Sequence, residues 1–314
     1  CRSENKNGGG AIYCYIGASD AELPTLIFNI DQCSFEHCKS KCGGACAINC
    51  RKGKRGISIT NTTFQSNLAT STSDPTVSSS DFLTKGGGGG ALLLGLQTAT
   101  ISNCTFENNT CTYGSNIAIV STNKAGDTKV VLQNCSISFP TTTDTDVKSS
   151  LYFATGSNLK LYLSIEGNTF LSTGLQENQY HINGTKLTSF SIGKDNCYTN
   201  SDDENYLFSP DFSSALSEQD NKIELCSPSP IDPTPIIETC QEGTEHNTSR
   251  TVSFSDCVFR DYYDAAEPGG AIYCGIVGSG TLYGLNFILQ NVQFLNCRSE
   301  NKNGGGAIYC YIGA

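Results

Sequence analysis

The chain has 314 residues, 17 of them cysteine, no Met or Trp, and a formal net charge of −10. The acidic balance argues against a nucleic-acid partner, since phosphate binding needs clustered Lys and Arg, and no apolar run approaches the ~20 residues of a membrane-spanning helix. The 32 glycines, with abundant Ser, Thr and Asn, point to turns and strands rather than helices.

The first 18 residues, CRSENKNGGGAIYCYIGA, recur without a change at 297–314, a period of 296 residues. So sharp a duplicate reads as a window on a longer tandem array, one unit plus a short overlap. On that reading the chain start is no natural N-terminus, and the lack of a signal peptide carries no information.

Inside the long period lies a shorter, degenerate one of roughly 25–40 residues. Each copy has a β-rich run, an aromatic residue, a polar stretch, then a Gly-rich turn into a short apolar strand. Cys33-Ser-Phe35-Glu-His-Cys38 leads to Gly43-Gly44-Ala45, and Phe64-Gln-Ser-Asn67 to Gly86–Gly90 and Ala91-Leu92-Leu93-Leu94. Cys104-Thr-Phe106-Glu-Asn-Asn109 leads to Gly114 and Ile117-Ala118-Ile119-Val120, with weaker copies at Ile137 and Phe170. Strong copies return at Phe259 and Phe294, followed by Gly269-Gly270-Ala271 and Gly304–Gly306 with Ala307. Runs such as Gly56–Thr60, Thr128–Leu132 and Leu159–Ile165 alternate apolar with polar residues, which is strand periodicity.

A repeat of short strands and Gly turns predicts an all-β parallel solenoid. A single coil cannot bury its inward face, whereas coils stacked about 4.8 Å apart share one core. Phe-type positions near 35, 64, 106, 137, 170, 190, 259 and 294 give about eight or nine coils per unit. The recurring Phe is expected to stack inward on its neighbours, the Gly pair to supply positive φ, and Asn67 and Asn109 to bond neighbouring backbone at a turn.

The paired signatures Phe-x-x-Asn and Gly-Gly-Ala-Ile/Leu resemble the repeats of chlamydial polymorphic outer membrane proteins, and related surface proteins of some protists. The copies at Phe35, Phe64, Phe259 and Phe294 carry the resemblance; Cys38, Cys297 and Tyr262 stand where three of them would have Asn. The resemblance implies a right-handed parallel β-helix displayed at a cell surface, with an adhesive role.

Equivalent positions in stacked coils lie about 5 Å apart, within disulfide reach. Cys1 (with its duplicate Cys297) and Cys38 fall three residues after the inward aromatic. Cys14 and Cys50 close the Gly-Gly-Ala strand, and Cys104 and Cys135 sit two before the core position. Cys1–Cys38, Cys14–Cys50 and Cys104–Cys135 are therefore expected as inter-coil staples; buried free thiols are the alternative. Without the two cysteines of the overlap the period holds 15, an odd number, so at least one lacks an intrachain partner. The run His37-Cys38…Cys42…Cys46…Cys50 lacks a Cys-x-x-Cys pair, which favours disulfides over metal. No cofactor is called for.

So much cysteine, with sequons at Asn61, Asn103, Asn108, Asn134, Asn183 and Asn247, predicts an oxidising compartment and N-linked glycans on a secreted or cell-surface protein. Four of the nine prolines (Pro228, Pro230, Pro233, Pro235) lie in 226–240. That segment reads as a junction, clasped by Cys226–Cys240, between coils at 1–225 and the first coils of a next unit at 241–314. The irregular stretch 197–225 reads as an end cap.

Three functions fit. The first is a structural or adhesive building block of a filament or cell surface, whose partners are copies of itself. The second is a carbohydrate-active enzyme, which needs converging carboxylates; Asp144/Asp146 and Asp202/Asp203/Glu204 are the candidates, and both read as solvated charge. His37, His181 and His246 show no triad-like context. The third is a glycan- or protein-binding module using exposed tyrosines such as Tyr13, Tyr15, Tyr262 and Tyr263.

Overall fold

Alternating apolar residues make strands, and this chain lays its strands side by side in the same order again and again. The computed structural model describes residues 1–3, 8–16, 25–50, 55–72, 88–95, 98–121, 127–141, 147–155, 161–185, 189–210, 223–226, 241–242, 250–260, 263–264, 272–277, 284–295, 298–299 and 307–313. Those residues are all-β, apart from a 3-10 turn at Ser201–Tyr206.

The strands form three sheets of five, eight and sixteen strands. The chain visits the five-stranded sheet at Lys39–Ser40, the eight-stranded sheet at Cys46–Cys50, and the sixteen-stranded sheet at Arg55–Thr60 and Thr63–Gln65. It then starts again at Leu68–Ala69, Leu92–Gly95, Thr98–Ser102 and Thr105–Glu107. Each pass adds a parallel strand beside the last, in register: Ile57 faces Ala99, which faces Val130 in turn, while Phe64 faces Phe106. Apart from the antiparallel pair at Gln241–Glu242, the recorded strand pairs are parallel.

Two corners turn the chain within each pass through the sixteen-stranded sheet. At the first, a residue with φ near +50° separates a long strand from a short one: Gln32, Asn61, Asn103, Asn134 and Asn291, with Gly167 at +65°. At the second, His37, Ser66 and Asn108 play the same part. This left-handed conformation costs Asn little. It aims the next side chain into the core: Cys33, Thr62, Cys104, Cys135 and Asn168 at the first corner, and Cys38, Asn67 and Asn109 at the second.

Buried asparagines at the corners hold the layers together. The Asn67 Nδ2 donates to the Phe35 carbonyl at 2.9 Å and to Asn109 Oδ1 at 2.8 Å. Its own Oδ1 accepts from the Cys38 N–H at 2.9 Å. Asn109 continues the chain to the Phe64 carbonyl and to Asn116. Asn168 and Asn196 form a second ladder at the first corner. Each buried amide is thus satisfied by the layer above or below, which removes the desolvation penalty that would otherwise oppose burial.

The expected aromatic column is present. Phe259, Phe294, Phe35, Phe64 and Phe106 stack with centroid spacings of 5.2, 5.9, 5.1 and 5.0 Å. Ile137, Phe170 and Tyr198 extend it. Tyr198, not the expected Phe190, occupies the last position, because Phe190 lies on a long strand opposite Leu163.

Glycine is required where the Gly-Gly-Ala turns approach each other. A Cβ on Gly44 would lie 1.9 Å from the Gly90 carbonyl oxygen, and one on Gly90 would lie 2.0 Å from that of Ser115.

Candidate functional site

The most specific arrangement in the molecule is the seam where its two ends meet. Strand Ile308–Gly313 lies against Ile12–Ile16 in the eight-stranded sheet, each residue opposite its own duplicate: Ile12 on Ile308, Tyr13 on Tyr309, Cys14 on Cys310. In the five-stranded sheet Arg2 faces Arg298 and Ser3 faces Ser299. In the sixteen-stranded sheet, Gly284–Leu295 sits directly on Thr25–Asp31 and Ser34–Glu36. The C-terminal layers have therefore docked beside the N-terminal ones, at the opposite end of the stack from residues 189–225.

The two copies of the 18-residue segment occupy consecutive places in two sheets, while the third advances by a single strand. In the eight-stranded sheet the strands leading to Gly284–Leu295 and to Thr25–Asp31 are Ile272–Val277 and Ile12–Ile16, and Ile308–Gly313 is inserted between them. Backbone bonds from the Ala307 and Ile308 N–H groups to the Ala11 carbonyl close this contact. So does the Cys1 Sγ, which donates to the Phe294 carbonyl.

The cysteines correct part of the expected pairing. The bond that forms is Cys197–Cys226, with Cα atoms 4.9 Å apart, so Cys226 is not joined to Cys240, which lies outside the described residues. Cys226 follows Leu225, which pairs with Tyr198, and this brings it alongside the neighbouring layer. Cys14 faces Ile48, and Cys50 faces Ile16, two residues out of the expected register. Counting from the Gly-Gly-Ala turn would have given this, since Cys14 is four residues beyond its second Gly and Cys50 six.

Cys1 and Cys38 each precede a paired residue, Arg2 and Lys39, and Cys104 and Cys135 precede Thr105 and Ser136. The alignments are as expected, but all four thiols are free and buried. The Cys104–Cys135 hydrogen bond raises the pKa of Cys104, with burial adding to the rise, and lowers that of Cys135. Burial pushes Cys33 and Cys42 up to about 12 and Cys111 to about 11. Such thiols stay protonated and are poor nucleophiles at neutral pH. Cys38 and Cys46 belong to the main core and Cys42 to a separate cluster on the other side of the eight-stranded sheet, which splits the supposed metal run.

The acidic candidates also change. Asp202 and Glu204 are exposed, but Asp203 is fully buried, contrary to the expected solvated cluster. Its Oδ2 accepts from Ser172 Oγ and meets His181 Nε2 at 3.1 Å; its Oδ1 accepts from the Leu175 N–H at 3.0 Å. Burial raises the carboxyl pKa, but the bonds from His181, Ser172 and Leu175 outweigh it and leave the value lowered. The carboxylate stands between Ser172 and His181, so His181 is not placed to take the serine proton, as nucleophilic catalysis would require. His181 Nδ1 is buried without a partner. The linkage spans 22 and 31 residues and carries no local sequence motif. Asp144, Asp146 and His246 lie outside the described residues, and His37 is exposed at a corner.

Beside Ser172 opens a cleft of about 480 Å³, lined by Ser and Thr hydroxyls on four successive layers, by Phe106, Phe139 and Leu171, by Asn108 and by Glu107. Glu107 is its one carboxylate, whereas glycoside hydrolysis uses two.

Asn61, Asn103 and Asn134 fall on three consecutive layers at the first corner, all exposed, and Asn108 is half-buried at the second. Asn183 is half-buried in Tyr180–Thr185, and Asn247 lies outside the described residues. Tyr13 is buried rather than exposed; Tyr262 lies outside the described residues, Tyr15 belongs to Ile12–Ile16, and Tyr263 belongs to a short strand at the seam. No described helix is long and apolar enough to cross a membrane. The chain matches no family model, no curated protein and no solved structure.

Proposed function

We propose that the stacked layers are coils of a right-handed parallel β-helix, and that the protein is an extracellular structural repeat glycoprotein that forms or decorates a filament or cell surface. The observation that carries this reading is the seam. The duplicate segments lie in register in adjacent layers, Arg2 on Arg298 and Ile12 on Ile308, so consecutive copies of the repeat are able to stack on one another. A head-to-tail contact that does not close generates an open filament. Three exposed sequons on consecutive layers support a glycoprotein. The likeness of the Phe-x-x-Asn and Gly-Gly-Ala repeats to chlamydial polymorphic outer membrane proteins supports the handedness and an adhesive role.

Eight long strands of the sixteen-stranded sheet, stacked about 4.8 Å apart, give each unit an axial length of roughly 38 Å. Electron microscopy of native material tests the reading: fibres with an axial repeat near 40 Å are expected, and monodisperse particles would overturn it. The hydroxyl-lined cleft favours a second reading, a glycan-binding module, which saturable binding of a polysaccharide lost in Glu107→Ala would support.

A further inference from the structure

The cleft beside Ser172 carries a modification signal of its own. Asn108-Asn109-Thr110 is a sequon, and Asn108 is one of the residues that line the cleft. The exposed sequon residues Asn61, Asn103 and Asn134 stand at the other corner and line none of it. The Asn108 N–H donates to Ser138 Oγ at 3.2 Å, and its Oδ1 accepts from Thr141 Oγ1 at 3.4 Å, both on the cleft wall. Its Nδ2, the atom that carries an N-linked sugar, has no hydrogen-bond partner among the described residues. The Nδ2 of Asn61, by contrast, donates to Asp31 at 2.8 Å.

The lining has the chemistry of a sugar site. A pyranose presents C–H faces and a rim of hydroxyls. Phe139 and Leu171 supply an apolar patch, while the hydroxyls of Ser136, Ser138 and Thr199 and the exposed carboxylate of Glu107 supply donors and acceptors. The volume of about 480 Å³ falls within the roughly 300–1,000 Å³ of small-ligand pockets. A sugar joined to Asn108 is held beside the cleft at an effective concentration on the order of mM, so contacts too weak to capture a free sugar suffice.

We propose that the cleft is the seat of an N-linked glycan on Asn108, whose first two N-acetylglucosamine residues lie along it. The proposal rests on the glycoprotein reading. Attachment joins Asn108 Nδ2 to the sugar C1 and breaks the C1–O bond of a lipid-linked diphosphate oligosaccharide; the lipid diphosphate leaves with the bonding pair, and the amide nitrogen loses a proton. The transfer takes place on the unfolded chain, so the half-burial of Asn108 does not oppose it. The tethered sugar takes the place that the second reading gives to a free polysaccharide.

Glycan release from the native protein secreted by eukaryotic cells tests it. Peptide N-glycosidase F is the probe, each sequon is followed by peptide mass spectrometry, and the denatured protein is the reference. Asn108 is expected to be occupied and to lose its glycan at least tenfold more slowly in the native than in the denatured protein. Occupied sites among Asn61, Asn103 and Asn134 should slow by less than threefold. Glu107→Ala leaves the linkage intact and removes the cleft carboxylate, so native release at Asn108 should then quicken at least threefold. An unmodified Asn108 beside an occupied exposed sequon, or equal slowing at the exposed sequons, would overturn the proposal and leave the glycoprotein reading standing. Slow release unchanged in Glu107→Ala would overturn it too, because burial of the linkage alone would then give the protection. Bare Asn at all of these sequons would overturn both.

Discussion

Leu92–Gly95 and Thr98–Ser102 are near neighbours in sequence, yet their environments are opposite. In the first, every residue is buried; in the second, exposed and buried residues alternate. The same contrast holds one pass later: Ile117–Val120 is buried throughout, while Thr128–Gln133 alternates. The outward side chains of the eight-stranded sheet, including Ala47, Leu93, Ala118 and Tyr152, form a second apolar cluster with Cys42 and Tyr113. The outward side chains of the sixteen-stranded sheet, such as Thr98, Thr100 and Lys129, face water. Parallel strands buried on both faces read as continuous apolar runs, and half-buried ones as alternation. One side of the stack is thus a core element through its full thickness, while the other is a wettable wall with exposed sequons at its corners.

The sharpest way to break this contrast is to place a charge on each outer face. Leu93→Asp puts a carboxylate in a fully buried site and should cost more than about 4 kcal/mol, whereas Thr100→Asp on the exposed face should stay within about 0.5 kcal/mol. Urea denaturation of both variants decides; equal costs would mean that the outer cluster is not closed to water.

Glycines give the next test. Gly90→Ala drives a Cβ to 2.0 Å from the Ser115 backbone oxygen and should cost about 3 kcal/mol. Gly56→Ala meets the rotatable Thr98 hydroxyl at 2.6 Å and should cost under about 1 kcal/mol. Thermal melting of the pair should rank them in that order.

The asparagine ladder joins the two regions, because Asn109 bonds both Asn67 and Asn116, the residue before Ile117–Ser121. Asn109→Ala strands the Asn67 N–H and the Phe64 carbonyl and should destabilise by about 2–3 kcal/mol. Hydrogen exchange should locate the loss at residues 64–67 and 109–117.

The last effect is absent at neutral pH and appears only as the pH is changed. Folded thiols at Cys33 and Cys42 ionise near pH 12, above the ~8.5 of an exposed thiol, so the unfolded chain releases its protons first. Stability is therefore intact below about pH 8.5 and falls as the pH rises toward 12, by up to ~1.4 kcal/mol per unit for each thiol. Asp203 acts in the opposite sense: its lowered value adds stability above about pH 4 that is lost on acidification. Cys42→Ala should flatten the alkaline limb. An unchanged alkaline limb would show that the outer cluster admits water.

Much of the stack was legible in the chain because its signals are local. Phe35, Phe64, Phe106, Phe259 and Phe294 sit at fixed offsets from their turns, and a period of two residues selects strands wherever it occurs. The functional elements were less legible. Cys1–Cys38 and Cys104–Cys135 were aligned correctly, yet alignment does not make a bond, and the free thiols are buried by core packing. The Asp203–Ser172–His181 group looked like surface charge because its partners come from a different layer.

By itself the sequence determined the all-β class, the stacking residues, the turn glycines and the duplicate ends, since each follows from spacing along one strand or turn. Only the tertiary structure decided which face of each sheet is dry, which cysteine meets Cys226, that Asp203 is buried, and that residues 284–313 dock beside residues 2–36 rather than beside residues 189–225. Those outcomes depend on which surfaces come together across hundreds of residues. No local period encodes them, because the free energy is gained only when distant layers close on one another and exclude water.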